Sequence, residues 1–143
     1  LPLAPETTSS RDEVSGVARL SAAVQARKIL VVDDNADAAT SLALLLEFGG
    51  AEVKTAADGA EAIEVAHAFG PELILMDVGM PNIDGLEATR RIRQLPFGKQ
   101  MRIVAVTGWG QSADREKTKA AGFDAHLVKP VSAEELQRIL FSE

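Results

Sequence analysis

Five polar residues stand directly behind short apolar runs. Asp33 and Asp34 follow Ile29–Val32, Asp77 follows Leu73–Met76, Thr107 follows Ile103–Val106, and Lys129 follows Ala125–Val128. Three carboxylates, a hydroxyl and an ammonium form a set suited to phosphoryl chemistry if the fold brings them together. Crowded anions repel one another, and each takes up a proton more readily unless a cation sits among them. A hard divalent ion with oxygen ligands resolves that conflict, and magnesium commonly uses one or two carboxylates with water and phosphate. The lysine then neutralises an incoming phosphoryl oxygen and the threonine donates a hydrogen bond to another, with an aspartate available as nucleophile. Taken singly, each residue has a simpler role as a helix cap, a turn residue or a solvated side chain. Their recurrence at four run ends points to one site.

The elements that must position them are legible. Asn35 is a candidate N-cap for a helix with Leu42, Leu45 and Leu46 on one face, closed by Gly49-Gly50. Ala51–Ala56 reads as a second strand. Asp58 and Glu61 have capping-box spacing before a helix carrying Ile63, Ala66 and Phe69, which Gly70-Pro71 stops. A loop with Gly79, Pro81 and Asn82 follows the third strand, and a helix from about Asp84 carries Leu86, Ile92 and Leu95. Ser112 caps a fourth helix ending at Gly122, and Ser132 with Glu135 caps a fifth carrying Leu136, Ile139 and Leu140.

Five strands therefore alternate with five helices. Apolar strands without polar alternation are covered on both faces, and each intervening helix supplies the right-handed crossover a parallel pair requires. The expected fold class is α/β, a doubly wound five-stranded parallel sheet of order 2-1-3-4-5, the flavodoxin-like (βα)5 arrangement. In that order the chain reverses direction between strands 1 and 3, and ligands bind beyond the carboxyl ends of the strands at that point. All five polar residues would converge there.

Composition removes other chemistries. The 143 residues contain no cysteine, so a disulfide scaffold, a thiolate zinc site and a cysteine nucleophile are excluded. His67 and His126 are the only imidazoles, too few for a multi-histidine metal site. No apolar run approaches the length of a membrane span, and the N-terminus lacks a signal-peptide pattern. Net charge is −6, which argues against direct nucleic-acid binding. Residues 1–27 balance Arg11, Arg19 and Arg27 against Glu6, Asp12 and Glu13, so all the excess charge lies in 28–143. Proline and hydroxyl residues crowd the first ten positions. We read 1–27 as a linker or tail, with 13–26 either a short helix or loosely ordered, and 28–143 as the domain.

At this point the residues resemble a family. The stretches ILVVDDN (29–35), LILMDVGMPNIDGLE (73–87), VAVTGWG (104–110) and AHLVKPV (125–131) resemble the receiver domain of two-component response regulators over essentially all of 28–143. The resemblance implies that Asp77 is the phosphoacceptor. It implies Mg²⁺ bound by Asp34 and Asp77 carboxylates, by Asp33 through a water, and by the Gly79 backbone carbonyl. Thr107 would contact the phosphoryl group after transfer, and Lys129 would pair with it. The donor implied is a phosphohistidine on a histidine kinase or histidine phosphotransfer protein. The readout implied is a changed surface of helix 4, strand 5 and helix 5. Such a domain is not an enzyme in its own right, though it takes part in its own Mg²⁺-dependent phosphorylation and dephosphorylation. A cytoplasmic location is expected, with a parent protein that a membrane could anchor.

Several positions are particular to this chain. His126 stands at the switch position of strand 5, where such receivers more often carry Tyr or Phe. Gly79 and Trp109 each lie two residues after a site residue, at positions that influence water access. The fourth helix offers only alanines as apolar residues from Ala113 to Ala121, so it is expected to be weakly anchored. The LPL start resembles the last strand of a histidine-kinase ATP-binding domain, and GWGQ with AGFDAHLVKPV resembles receivers attached to sensor kinases. The expected parent is therefore a hybrid sensor kinase with this receiver at its C-terminus, with no output domain after helix 5. The alternatives are a phosphorylation-independent binding module of the same fold and a Mg²⁺-dependent phosphohydrolase of the haloacid dehalogenase type. The latter places its nucleophile in a DxD arrangement after strand 1, unlike the adjacent pair Asp33-Asp34 here.

His126 reads either as a passive aromatic substitute or as a weaker, pH-sensitive switch, because imidazole is smaller and can carry charge near neutral pH. A pH-sensitive switch predicts an activation midpoint that moves between about pH 6 and pH 8. A constant midpoint identifies the passive substitute.

Overall fold

In the computed structural model, the described residues are 27–78, 85–96, 98–107, 119–128, 131, 132, 134–136 and 138. Within them the elements run β1 (Lys28–Val32), α1 (Ala36–Phe48), β2 (Glu52–Ala56), α2 (Gly59–Phe69), β3 (Leu73–Asp77), α3 (Gly85–Arg93), a 3-10 turn (Gly98–Gln100), β4 (Arg102–Thr107) and β5 (Ala125–Val128). The strands form one parallel sheet of order β2-β1-β3-β4-β5, the expected order.

Local chemistry sets the element boundaries. The Ala38 backbone N–H donates to Asn35 Oδ1 at 3.1 Å, which satisfies one of the orphan donors of α1. At α2 the Glu61 N–H donates to Asp58 Oδ1 at 2.8 Å. The Glu61 carboxylate reaches back to the Ala57 N–H at 2.7 Å, one residue earlier than a strict capping box. Gly70 ends α2 at φ +65°, where a side chain would be strained. The Glu135 N–H donates to Ser132 Oγ at 3.2 Å, and 134–136 are helical. Of the fourth helix, 119–121 are described, and they end at Gly122 with φ +111°. Residues 1–26, the loop with Gly79, Pro81 and Asn82, and Trp109 lie outside the described residues, as do the start of the fourth helix and Ile139 and Leu140.

The sheet has an apolar layer on each face. Ile29, Val31, Leu73, Leu75, Val104, Val106 and Leu127 pack with Leu46 of α1 and with Leu136. Leu30, Val32, Ile74, Met76, Ile103 and Ala105 pack with Ala62 and Ala66 of α2, with Ala88 and Ile92 of α3, and with Phe123. β1, β3 and β4 are buried almost throughout. β2 departs from the expectation of two covered faces: only Ala56 is buried, because β2 is an edge strand. Helix α1 packs Leu42, Leu45 and Leu46 on the core as expected. Ala39, Ala43 and Leu46 form its buried face, Leu42 and Leu45 are half-buried, and Leu44 and Phe48 are 60% and 73% exposed. Leu95, expected on the third helix, lies two residues beyond its end and packs from there. No helix among the described residues is long and apolar enough to cross a membrane.

Arg93, the last residue of α3, holds the amino-terminal ends of β4 and β5. Its guanidinium donates to the carbonyls of Gly122 (2.9 and 2.6 Å), Gly98 (2.8 Å) and Met101 (2.5 Å), and to Asp124 Oδ2 (2.8 Å). Asp124 Oδ2 also accepts from the Ile103 N–H at 2.8 Å. The Arg93 side chain is only 17% exposed, so these bonds are poorly screened. By contrast, Glu87 with Arg90 and Arg91 is an exposed cluster that contributes little to stability. The hydrogen bond from Arg91, above all, holds the Glu87 carboxyl below its ordinary value.

Arg93→Ala removes the guanidinium donor from three partly buried carbonyls, so it is expected to destabilise the fold by about 2–3 kcal/mol. Urea denaturation with an unchanged m-value reads this loss. A loss no larger than that of a surface substitution removes Arg93 from the structural account.

Candidate functional site

The carboxyl ends of β1 and β3 meet at the reversal of strand order. Val32 pairs with Met76 in the β1–β3 ladder, so Asp33 and Asp77 leave adjacent strands side by side. Alternation turns both toward the face that carries Val31 and Leu75. The Asp33 N–H still donates to the Ala56 carbonyl at 3.1 Å, which continues the ladder to β2 by one residue. The Asn35 N–H donates to Asp33 Oδ1 at 2.9 Å, so the same turn that caps α1 also orients this carboxylate.

Asp33, Asp34 and Asp77 each bring a carboxylate oxygen within 4.8 Å of the others. Asp33 and Asp77 are buried and Asp34 is exposed. Two unit charges at such a separation repel by about 3–4 kcal/mol at an effective dielectric of roughly 20. Positive charge supplied to such a cluster relieves that repulsion. Its donors are all hard oxygens, the chemistry that suits Mg²⁺ rather than a soft metal. The donor set therefore fits the ion anticipated from the sequence.

Thr107 ends β4 and is buried. Asp77 pairs with Val106, so Thr107 lies one residue beyond the Asp77 rung on the neighbouring strand. Its hydroxyl donates to the Leu127 carbonyl at a long 3.4 Å. His126 is half-buried on β5 and pairs with Ala105, which puts it on the same sheet face as Thr107 by alternation. Thr107 pairs with Val128, the residue before Lys129. Lys129 and Gly79 lie outside the described residues. The three carboxylates and Thr107 thus share one rim, and His126 stands behind the threonine.

One residue at this rim escaped the sequence reading. A Cβ added to Gly85, the first residue of α3, would lie 2.5 Å from the Asp77 carbonyl oxygen and 2.8 Å from Val78 Cα. The available signal was a glycine in a helical first turn, where it costs helix propensity and needs a compensating reason. An open cleft of about 480 Å³ lies at the other pole, between Arg27, Gly70, Pro71, Glu72, Gln100 and Met101. It brings together no comparable cluster of acids.

Residues 29–141 match the response regulator receiver domain family. An uncharacterised 14.6 kDa protein from Leptolyngbya boryana is 38% identical over 112 residues, covering 78% of this chain and 86% of that protein. The signal transduction histidine-protein kinase BarA of Escherichia coli K12 is 36% identical over 115 residues, covering 80% of this chain but only 12% of the kinase. The chain thus spans a small part of that relative. Among solved structures, the receiver domain of the sensor histidine kinase PA1611 from Pseudomonas aeruginosa PAO1 is similar, with a TM-score of 0.73 and 38% identity. The match covers 80% of this chain and 94% of that one, whose active site cleft coordinates a magnesium ion.

Divalent-ion binding to the folded state alone raises stability by about 2.7 kcal/mol at a hundredfold excess over Kd. Mg²⁺ is therefore expected to shift the urea midpoint of the wild-type protein upward. Asp77→Asn removes one crowded charge, so it is expected to stabilise the ion-free protein by about 1–3 kcal/mol and to abolish most of the Mg²⁺ shift. A wild-type midpoint indifferent to Mg²⁺ rules out the ion-holding role.

Proposed function

The chain belongs to the response regulator receiver domain family, and from that membership we propose that Asp77 accepts a phosphoryl group from a phosphohistidine on a partner protein. The observation that carries this reading is the clustering of Asp33, Asp34 and Asp77 at the point where strand order reverses. Asp77 is read as the nucleophile because it holds the phosphoacceptor position of the family motif in LILMDVG (73–79). An Asp77 carboxylate oxygen attacks phosphorus in line with the leaving nitrogen. The P–N bond breaks as the P–O bond forms, and the partner imidazole leaves with the proton it already carries on its other nitrogen. Asp34 and Asp77, with Asp33 through a water and the Gly79 carbonyl, would hold Mg²⁺, which would supply positive charge to the phosphoryl oxygens.

The remaining residues act on the product. Lys129 pairs with one phosphoryl oxygen. Thr107 gives up its long bond to the Leu127 carbonyl and donates to another phosphoryl oxygen, a better acceptor because it is charged. His126 moves into the space that Thr107 leaves, and the surface of helix 4, strand 5 and helix 5 changes with it. A charge change at one carboxylate thus biases two packings of one strand. The partner in this reading is a histidine kinase or a histidine phosphotransfer protein. The parent chain is a hybrid sensor kinase, and this segment works in the cytoplasm without touching nucleic acid or membrane.

Incubation with acetyl phosphate and Mg²⁺, followed by intact-mass measurement, tests the reading. One phosphoryl adduct is expected on the wild type, dependent on Mg²⁺ and absent from Asp77→Asn. Phosphate release without an adduct points instead to rapid turnover or to the phosphohydrolase. Neither adduct nor release points to a phosphorylation-independent binding module.

A further inference from the structure

The Asp77–Val78 peptide is held from both edges. In a planar trans peptide the N–H and C=O point in opposite directions. On one edge the Val78 N–H donates to the Val106 carbonyl of β4 at 3.2 Å. On the other edge stands Gly85: its hypothetical Cβ would lie 2.5 Å from the Asp77 carbonyl oxygen and 3.1 Å from the Asp77 carbonyl carbon. The three nearest atoms it would meet are main chain, which cannot rotate aside as a flexible side chain could. Helix α3 cannot back away at no cost either, because Ala88 and Ile92 are fully buried against the sheet and α2.

We propose that Gly85 is a positioning residue, whose missing side chain lets α3 close on the Asp77–Val78 peptide and so fixes the aim of the Asp77 carboxylate. The inference rests on the phosphoacceptor reading and deepens it. Fixing that peptide plane fixes ψ of Asp77, and with it the direction in which the carboxylate leaves the strand. That direction decides whether Asp77 meets Asp33 and Asp34 at a spacing that one small ion can bridge. A displacement of about 1 Å in a reacting group can cost about 10²-fold in rate.

The test compares Gly85→Ala with wild type and with Leu46→Ala, which thins the core layer on the sheet face away from α3. Mg²⁺ affinity is read by titration calorimetry with magnesium chloride, labelling by acetyl phosphate, and stability by urea. Gly85→Ala is expected to bind Mg²⁺ about tenfold more weakly and to label about 10²-fold more slowly. Leu46→Ala is expected to lose stability yet keep wild-type Mg²⁺ affinity. Should Gly85→Ala fail to fold, Ala88→Val, one turn further along the same sheet-facing side, pushes the helix off the sheet and is expected to weaken Mg²⁺ binding likewise. A folded variant with Mg²⁺ affinity within about twofold of wild type overturns the proposal. Should the wild type take no phosphoryl group on Asp77, the phosphoacceptor reading fails, and the calorimetric comparison still decides the role of Gly85.

Discussion

Three carboxylates held within 4.8 Å of one another set the terms for the rest of this molecule. Left to themselves they would separate, since each close pair repels by an amount comparable to a large part of a domain's net stability. What prevents this is the parallel ladder. Val32 and Met76 are locked side by side in fully buried strands, and Asp33 and Asp77 follow directly from them. The ladder thus fixes the main-chain spacing from which the Asp33 and Asp77 side chains start. The apolar layers on its two faces therefore hold an electrostatically unfavourable arrangement ready for a cation.

The two ends of the sheet are held by opposite means. At the amino-terminal end of β4 and β5, Arg93 supplies positive charge to a ring of carbonyls and to Asp124. At the carboxyl end negative charge accumulates and is exposed at Asp34. The same helix serves both ends: α3 begins with Gly85 against the Asp77 main chain and finishes with Arg93 in the carbonyl ring. Its position is thus fixed at two points. This makes α3 a strut between the site and the part of the chain that leads into β5, the strand that carries His126.

Much of this could be read from residue order, and the parts that could not share one cause. Strand ends, helix caps and the stop at Gly70 depend on neighbours within four residues, and the Asn35, Asp58 and Ser132 caps follow from their side chains. The exposure of β2 was less legible, because being an edge strand is a property of the sheet and not of EVKTA. The face of α1 read from Leu42, Leu45 and Leu46 does pack on the core, but its most buried positions are Ala39, Ala43 and Leu46. A close helix-to-sheet approach favours small residues, and how close the approach is depends on the partner strand. Leu44 and Phe48 were left outside for the same reason.

The sequence by itself determined that four of five apolar runs end in residues suited to phosphoryl chemistry, and that helices of the right length separate them. Periodicity and capping are local, so they survive in one dimension. The strand order was inferable only because short right-handed crossovers leave few choices. Tertiary structure alone decided which rung of β1 faces which rung of β3, and hence that Asp33 stands beside Asp77. It alone turned the Thr107 hydroxyl toward Leu127, and it alone brought Gly85 against a main chain eight residues earlier. Register and closest approach are settled by the packing of residues far apart in sequence. No single residue's chemistry carries that information until the chain has closed on itself.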